Sequence, residues 1–346
     1  MPKVKFVFNG CKVRRNDLEE IENFLRNNNF NIVDKDEDIA ILMLCAFAEE
    51  RENDSINTLK NYEKNKVILT GCYHKIAADR IDQDYTKVDT IKNLEAIANA
   101  IRSKGFDIAN FDYSSSNCSL ITVQSGCTGS CSHCCIKQAI GNVKSKDINY
   151  IQNRISKINY NYSIMGDDVG SWGVDINKEL PNLLNILDPQ KVELIRYISP
   201  WKLLKYKNEL KSFLDKTKNI NVMIPLHTAS ARITDLMNRP DSDKLQELRE
   251  VLLSMKENKA VKLSTQIVVG FPSETKDDFV ETLNYINRIF TDVEFFAFSP
   301  RPNTLAYDME NRVSIETIES WYSEYTNFIK SAFSNSFLYK NIEVVK

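Results

Sequence analysis

The first third of the chain alternates short apolar runs with amphipathic stretches. The apolar runs have the length and composition of buried strands and lie at 4–8, 39–44 and 67–69. Helical periodicity follows them at 17–28, at 49–65 and, after a weaker region, at 94–103. A strand that pairs in parallel with its predecessor needs a crossover, which is usually a helix. This part of the sequence therefore predicts a small parallel α/β domain.

Strand-like runs recur in the rest of the chain, and helical patterns alternate with them. The six runs lie at 120–123, 163–165, 192–197, 221–224, 261–269 and 293–298. The clearest helical patterns span 245–256 and 277–290. Six βα units are fewer than the eight of a closed barrel, so we expect an open (β/α)6 partial TIM barrel. Its active site should lie at the carboxyl ends of the strands.

The two parts are separated by a stretch that contains Ser114, Ser115 and Ser116, a composition typical of a linker. We therefore expect one domain over 1–117 and a second over 118–346. The length of 346 residues and the 42% hydrophobic content agree with two packed domains of about 150 residues each.

Net charge does not identify a partner of this protein, whereas hydropathy bears on its location in the cell. With 45 Lys and Arg against 47 Asp and Glu, the formal net charge is −2, which neither requires nor excludes a nucleic-acid substrate. The apolar stretch near the N-terminus is too short for a signal peptide, and no later segment has the length of a membrane span. We expect a cytoplasmic protein without a membrane partner.

Three cysteines stand on one short loop directly after the first barrel strand. Cys127, Cys131 and Cys134 have the spacing CX3CX2C. Thiolates are the usual ligands of iron–sulfur clusters, and three ligands leave one iron of a four-iron cluster open. In an enzyme, S-adenosylmethionine would bind the open iron through its amino and carboxylate groups and be cleaved reductively to a carbon radical. Zinc is the alternative, although structural zinc sites usually have two paired hooks.

A second set of cysteines follows the strands of the first part. Cys11, Cys45 and Cys72 come at or just after the ends of three successive predicted strands. Ligands of parallel sheets bind outside the carboxyl ends of the strands, so these thiols can meet in space. A second cluster is therefore expected. The alternative for Cys45 and Cys72 is that they are small buried hydrophobic residues, as we also expect for Cys135.

These cysteines stand within motifs that resemble the radical S-adenosylmethionine methylthiotransferases, a family that inserts sulfur and a methyl group into an unactivated C–H bond. The resemblance spans almost the whole chain. Its main motifs are Asn9-Gly10-Cys11, Leu44-Cys45-Ala46-Phe47, Thr70-Gly71-Cys72, Ser125-Gly126-Cys127, Gly166-Asp167-Asp168, Leu236-Met237-Asn238-Arg239 and Val269-Gly270-Phe271-Pro272.

The resemblance implies two [4Fe-4S] clusters, with S-adenosylmethionine and an external electron donor. The radical-generating cluster would be held by Cys127, Cys131 and Cys134, and an auxiliary cluster would be held by Cys11, Cys45 and Cys72. In the family, one S-adenosylmethionine methylates a sulfur on the auxiliary cluster. A second one yields a 5′-deoxyadenosyl radical that abstracts a substrate hydrogen. No catalytic residues are expected beyond the cluster ligands.

Four further candidates for S-adenosylmethionine contacts lie at strand ends. Gly166 would allow close approach of the methionyl group, and Asp167 or Asp168 would hold ribose hydroxyls or the amino group. Gly270 would shape the adenine pocket. An ordinary strand-ending turn is the equal alternative for Gly166, Asp167 and Asp168.

Two cofactor candidates carry polar side chains after the fourth barrel strand. Arg239 would pair with the cofactor carboxylate, with a solvated helix cap as the alternative. His227 would be a cofactor or substrate contact, with a polar residue at the barrel mouth as the alternative.

The sequence departs from the family at several of these places. His227 stands where the family often has glutamine, and His133 replaces a common aromatic residue. After Cys11, the run Lys12-Val13-Arg14-Arg15 replaces a segment with Asn or Gln. We expect Lys12, Arg14 and Arg15 either to meet an acidic substrate or to form a solvated turn.

The short segment after the last predicted helix affects which class of substrate we expect. Only residues 335–346 follow the last helical pattern at 315–333, too few for the C-terminal TRAM domain of family members that modify transfer RNA or ribosomal protein. Balanced charge and few arginines after the second triplet favour modification of a peptide or protein side chain, for example in a ribosomally made peptide. The alternatives are a hypermodified tRNA adenosine next to the anticodon and, for a non-enzyme, a structural metal-binding protein.

Overall fold

The computed structural model describes residues 1–89, 94–108, 119–340 and 343–345. The expected linker at 114–116 and the domain boundary at 117 lie outside the described residues. Within these ranges, no helix has both the length and the apolar character that crossing a membrane requires.

The N-terminal part is a five-stranded parallel sheet with strand order β2-β1-β3-β4-β5. Its central strand β3 is buried along its whole length, which explains its unbroken apolar sequence. The strands are β1 (Lys3–Phe8), β2 (Asn31–Ile32), β3 (Ile39–Leu44), β4 (Val67–Gly71) and β5 (Thr86–Lys87). The helices are α1 (Lys12–Asn27), α2 (Glu49–Leu59), α3 (Tyr73–Ile76) and α4 (Leu94–Ser103).

Two helices of this part differ from the sequence prediction: α2 ends at Leu59 rather than at residue 65, and α1 begins at Lys12 rather than at Asp17. The first turns of α1 bury polar side chains against the rest of the protein, so apolar periodicity does not mark them. Arg14 is only 4% exposed, and the expectation that it meets an acidic substrate or lies in a solvated turn is wrong. The side chain of Arg15 is 53% exposed and keeps the solvated character expected of it.

The C-terminal part is built on an eight-stranded sheet with order β15-β14-β13-β12-β11-β10-β9-β6. Its strands are β6 (Leu120–Thr122), β9 (Tyr162–Met165), β10 (Val192–Arg196), β11 (Ile220–His227), β12 (Val261–Val269), β13 (Asp292–Ala297), β14 (Asn335–Lys340) and β15 (Glu343–Val345). A separate antiparallel pair is formed by β7 (Gln124–Ser125) and β8 (Lys144–Ser145).

Helices alternate with these strands. They are α5 (Ile136–Ile140), α6 (Ile148–Ser156), α7 (Leu180–Leu184), α8 (Pro200–Lys205), α9 (Lys207–Leu214), α10 (Ala231–Leu236), α11 (Leu245–Met255), α12 (Lys276–Ile286), α13 (Ile315–Glu324) and α14 (Thr326–Ala332). The six predicted strands pair in parallel in chain order, so the predicted α/β class and partial-barrel architecture are confirmed.

The sheet is longer than the sequence predicted. Strand β14 pairs in parallel with β13 and is followed by the antiparallel strand β15. Only one residue of β14, Leu338, is classed as buried core, so its short mixed sequence carries little apolar signal. No strand is predicted from the sequence after the last helix, but β14 extends the sheet of the barrel there.

Apolar packing joins the two parts. Helix α5, which follows the second cysteine triplet, contributes Ala139 and Ile140 to a core formed mainly by β3, β4 and α3. Cys135 lies in the same core and is 2% exposed, which confirms its expected role as a buried hydrophobic residue. The segment that carries one triplet is thus packed directly against the sheet that carries the other.

A buried ion pair also joins the two parts. Glu52 on α2 accepts hydrogen bonds from Arg301, in the loop after β13, and from Arg80 at 2.6 Å. Both Glu52 and Arg301 are buried. Burial removes water from the carboxylate, so these cations are its main compensation.

Replacement of Glu52 by Ala should destabilise the protein by about 3 to 5 kcal/mol, because it leaves the Arg301 guanidinium buried without its carboxylate. The exposed Glu63, which contacts Lys66 at 3.6 Å, provides the control, and Glu63→Ala should change stability by less than about 0.5 kcal/mol. Denaturant unfolding measures both. Equal effects of the two substitutions would contradict the role of this pair.

Candidate functional site

The first cysteine triplet lies at the carboxyl edge of the N-terminal sheet. Cys11 and Cys72 are the residues that precede α1 and α3, and Cys45 directly follows β3. The backbone N–H of Cys72 donates to the carbonyl of Leu44 at 3.0 Å, which keeps two of the strand ends together. Burial is the main cause of the raised pKa of Cys45 and of Cys72, and charge on Cys11 adds to both, so the three thiols are electrostatic neighbours.

Asn9 organises the same edge. Its Oδ1 accepts from the backbone N–H of Cys45 at 2.8 Å, and its Nδ2 donates to Ser55 Oγ at 2.8 Å. The Ser55 hydroxyl in turn donates to the carbonyl of Cys45 at 2.7 Å. The loop that carries Cys45 is therefore fixed on both sides by the Asn9-Ser55 pair.

The second triplet lies on the loop between β7 and β8, at the carboxyl end of β6. Cys134 N–H donates to the carbonyl of Cys131 at 3.1 Å, and Gly129 N–H donates to Cys127 Sγ at 3.2 Å. Burial is the main cause of the raised pKa of Cys127, and charge on Asp168 and on the other two thiols of the triplet adds to it. The three thiols of this loop are thus within electrostatic reach of one another, and their joint binding of a cluster stays a prediction.

Burial makes the thiols of Cys45, Cys127 and Cys131 poor acids without a cation beside them. It raises the pKa of Cys45 and of Cys131 to about 11 and that of Cys127 to about 12, with smaller contributions from neighbouring charges. Metal ligands must be thiolates, so bound iron would supply the charge that stabilises them. Each triplet fits a [4Fe-4S] cluster in its donor chemistry, which is three thiols at one site. Among the described residues, no three His, Cys, Asp or Glu side chains are grouped closely enough for a single metal ion.

Asp167 lies between the two triplets. Its carboxylate raises the pKa of Cys72 in one triplet and of Cys134 in the other, although burial is the larger cause in both. It accepts two hydrogen bonds from Arg14 Nη2, at 2.7 and 2.9 Å, and one from the backbone N–H of Gly126 at 2.8 Å. The contacts described for this carboxylate are thus made with the protein, and its expected cofactor contact stays a prediction.

The neighbouring residues of the Gly166-Asp167-Asp168 motif are also closely packed. A Cβ on Gly166 would stand 2.5 Å from Gln124 Oε1, so this position requires glycine for close approach. Asp168 is buried, accepts from Ser171 Oγ at 2.5 Å and from Ser199 N–H at 3.0 Å, and burial raises its pKa. Its contact with S-adenosylmethionine also stays a prediction.

Arg239 is not a solvated cap, because only 4% of it is exposed. Its Nη1 lies 2.9 Å from His227 Nδ1, and its Nη2 donates to the carbonyl of Pro225 at 3.1 Å. The guanidinium also lies 5.1 Å from the ring of Trp201 and lowers the pKa of Cys131 against the larger effect of burial. Arg239 therefore favours the thiolate that a cluster requires.

The two histidines that depart from the family pattern are in contact. The rings of His133 and His227 are 5.0 Å apart in an edge-to-face arrangement. Burial and the Arg239 charge lower the pKa of His133 to about 3, and the same causes lower the pKa of His227 well below its usual value. Both imidazoles are neutral at physiological pH, so they present no competing positive charge beside the second triplet.

Gly270 is required by the packing of α13. It has φ of +80°, and a Cβ there would meet Ile318 Cδ1 at 2.1 Å. Its backbone N–H donates to the buried carboxylate of Glu274, which also accepts from Phe271 N–H at 3.1 Å. A contribution of Gly270 to an adenine pocket stays a prediction.

Sequence reasoning missed Gln124 and gave Arg14 the wrong role, although both organise the site. Gln124 Oε1 accepts from the backbone N–H groups of Asp167 and Asp168, at 2.9 and 3.3 Å, and Arg14 holds the Asp167 side chain. Neither Gln124 nor Arg14 belongs to a cysteine motif or to a periodic pattern of apolar residues. Only the pairing of β6 with β9 and the burial of α1 bring them to the site.

Two known families match this chain, one in its N-terminal part and the other in its C-terminal part. Residues 3–93 match the family described as Uncharacterized protein family UPF0004, and residues 121–286 match the Radical SAM superfamily. The first match contains Cys11, Cys45 and Cys72, and the second contains Cys127, Cys131 and Cys134.

Characterised relatives are similar over most of their length. Ribosomal protein uS12 methylthiotransferase RimO of Thermotoga sp. (strain RQ2) is 26% identical, with 94% of this chain and 83% of the relative covered. The tRNA-2-methylthio-N(6)-dimethylallyladenosine synthase of Aquifex aeolicus (strain VF5) is 24% identical, with 88% and 78% covered.

A solved structure shares the fold. The radical S-adenosylmethionine methyltransferase TsrM from Kitasatospora setae superposes with a TM-score of 0.60 at 11% identity, covering 89% of this chain and 77% of TsrM. At this identity the likeness concerns the fold alone.

Gly126→Ala should disturb the second triplet. Gly126 has φ of +82°, and a Cβ would stand 2.3 Å from the backbone oxygen of Asn142. The loop must shift just before Cys127, so we expect the variant to lose about half of the iron bound by the reconstituted protein. Gly105→Ala is the matched control, since Gly105 has φ of +87° but nothing within 4 Å of a Cβ. It should cost about 1 kcal/mol of stability and no iron. Equal iron in both variants would contradict this account.

Glu274 should make stability depend on pH. Burial raises its pKa to about 8 against the stabilising bonds from Gly270 and Phe271, so the folded state holds a proton that the unfolded state releases from about pH 4.5. This contribution is complete below pH 4.5 and falls as the pH rises towards 8, by about 1.4 kcal/mol per unit. Denaturant unfolding should show a shallower decline for Glu274→Gln than for the native chain between pH 5 and 8. Identical slopes would contradict the pKa assignment.

Proposed function

The chain belongs to the radical S-adenosylmethionine methylthiotransferase family, and from this premise we propose that it inserts a methylthio group into an unactivated C–H bond of a peptide or protein side chain. Enzymes of the family are transferases that use [4Fe-4S] clusters and S-adenosylmethionine. We assign one cluster to Cys127, Cys131 and Cys134 and the other to Cys11, Cys45 and Cys72. When bound, these groups supply the radical and the sulfur of the reaction.

The protein's part is to hold the thiols and to shield most of them from water, although Cys11 is exposed. Gly129 N–H donates to Cys127 Sγ at 3.2 Å, and Phe47 N–H donates to Cys45 Sγ at 3.4 Å. Hydrogen bonds to ligand sulfurs and burial are two of the means by which proteins tune such sites. Each triplet thus has a thiol that accepts an N–H···S bond of this kind.

A polar network inside the barrel faces the first triplet and would orient the substrate. Arg196 Nη2 donates to Tyr197 Oη at 2.7 Å, and Gln266 Nε2 donates to Glu294 Oε2 at 2.7 Å. Arg196 also lies 3.9 Å from Glu294. Burial is the largest influence on the pKa of Arg196 and of Tyr197, and charge on Cys11 raises both pKa values, so this network lies within electrostatic reach of the auxiliary site.

Ion pairs between arginines and carboxylates around the site support a peptide substrate over a nucleic acid. Phosphate binding uses Arg and Lys side chains whose charge is available to the phosphate oxygens. Four arginines around the thiols and the network each lie within 4 Å of a carboxylate, in the pairs Arg14–Asp167, Arg196–Glu294, Arg239–Asp241 and Arg301–Glu52. Arg51, whose charge also lowers the pKa of Cys45 against the larger effect of burial, is not among these pairs. Together with the net charge of −2, this pairing supports a substrate that is not a polyanion.

A tRNA adenosine is the second candidate substrate. The observation in its favour is that the Aquifex aeolicus relative named for tRNA is nearly as similar as the Thermotoga relative named for a ribosomal protein. Both candidate substrates would be modified by the same cluster chemistry. They differ in whether a peptide side chain or a tRNA base must enter the site.

The reconstituted enzyme with S-adenosylmethionine, a reductant and sulfide should add a methylthio group to a peptide or protein. Mass spectrometry of a peptide library and of unmodified cellular tRNA, incubated separately, measures this addition. Replacing Cys11, Cys45 and Cys72 together by Ala should abolish the addition and retain reductive cleavage of S-adenosylmethionine, since the radical site is intact. Replacing Cys127, Cys131 and Cys134 together should abolish both.

Three outcomes would contradict the proposal in different ways. Addition to tRNA alone, with a steep loss of binding as salt increases, would reject the peptide substrate and keep the chemistry. Cleavage of S-adenosylmethionine by the variant that lacks Cys127, Cys131 and Cys134 would reject the cluster assignment. No cleavage by the native chain would reject the enzymatic function.

A further inference from the structure

Arg14 occupies a buried position between acidic groups at the start of α1. Its guanidinium pairs with Asp17 through Nη1 and with both oxygens of Asp167 through Nη2. The side chains of Arg14, Asp17 and Asp167 are 4%, 4% and 9% exposed. Two neighbouring carboxylates inside a protein require such a cation, since their charges otherwise repel each other without screening by water.

Asp167 connects this ion pair to the second triplet. It is anchored by its own backbone N–H, which donates to Gln124 Oε1 at 2.9 Å. Its Oδ2 accepts from Gly126 N–H at 2.8 Å, one residue before Cys127. A direct chain of bonds therefore runs from α1, which begins directly after Cys11, to the loop of the second triplet.

The charges of the pair also reach both triplets. Burial lowers the pKa of Arg14, but the carboxylates of Asp167 and Asp17 and, to a smaller extent, the thiolates of Cys72 and Cys11 raise it, so Arg14 is within electrostatic reach of two thiols of the first triplet. Burial is the main cause of the raised pKa of Cys72 in the first triplet and of Cys134 in the second, and the Asp167 carboxylate raises both pKa values further. The pair thus places one fixed positive and one fixed negative charge between the sites of two clusters.

We propose that Arg14 and Asp167 form a positioning pair that links the two cysteine triplets, and that their charges set the reduction potentials of the clusters bound there. The inference rests on the proposed function, which assigns a cluster to each triplet. Nearby charge and burial are among the properties that determine the potentials of iron–sulfur clusters. A positive charge favours the reduced cluster, which carries one more electron, and a negative charge disfavours it.

Substitutions in the pair should move the potentials in opposite directions. Asp167→Asn removes the negative charge that both triplets sense, so both potentials should rise. Arg14→Gln removes the positive charge and leaves Asp167 uncompensated, so both should fall. We expect a change of about tenfold in the equilibrium constant for one-electron reduction, which corresponds to about 59 mV. The double variant should lie between the single variants.

A redox titration of the reconstituted full-length chain, followed by electron paramagnetic resonance before S-adenosylmethionine is added, measures both potentials. The two triple Cys→Ala variants assign the signals to their triplets. Arg15→Gln is the matched control, since Arg15 is the next residue on α1, its side chain is 53% exposed, and it lies 3.6 Å from Glu19. It should leave both potentials unchanged.

Arg14→Gln leaves two carboxylates buried and can prevent iron loading. Asp167→Asn and Arg14→Lys then carry the test, because the first relieves repulsion and the second keeps the charge while losing the two-pronged contact. Arg14→Lys should lower the potentials less than Arg14→Gln does.

The inference is overturned if Asp167→Asn leaves both potentials equal to those of Arg15→Gln. A shift of only one cluster would overturn the link between the triplets, since both sites should sense Asp167. Failure of the native chain to bind iron at either triplet would instead reject the proposed function, so the two failures are distinguishable.

Discussion

The buried contact between the carboxyl edges of the two parallel sheets determines everything else in this structure. Each sheet carries a cysteine triplet at its own edge, and contacts between the edges bring a thiol of each triplet within electrostatic reach of Asp167. Apolar packing of α5 on the N-terminal sheet, the Glu52–Arg301 pair and the Arg14–Asp167 pair hold that arrangement. The two ion pairs are buried, so their geometry is better defined than that of exposed pairs.

The chemistry of the site follows from the same burial. Water is excluded from thiols that must become thiolates, and their pKa values rise accordingly. Cations placed beside them reduce that penalty, Arg239 near Cys131 and Arg14 near Cys72. These arginines are also paired with carboxylates, Arg239 with Asp241 and Arg14 with Asp167, so their charge is balanced within the protein.

The parallel sheets and the cysteine triplets could be predicted from the sequence because they depend on local patterns. Apolar runs mark β3 and β12, and cysteine spacing marks the loop of Cys127. The start of α1, strand β14 and the partners of Asp167 depend instead on tertiary contacts. Arg14 is a strongly polar residue at a buried position, and no sequence period signals that it meets a carboxylate 153 residues away.

The central claim is that the chain holds two separate clusters, one for each triplet. Iron and acid-labile sulfide analysis of the anaerobically reconstituted protein, together with its two triple Cys→Ala variants, tests it most directly. The account predicts about eight irons for the native chain and about four for each variant. About four irons in the native chain, with none left after loss of Cys127, Cys131 and Cys134, would contradict it.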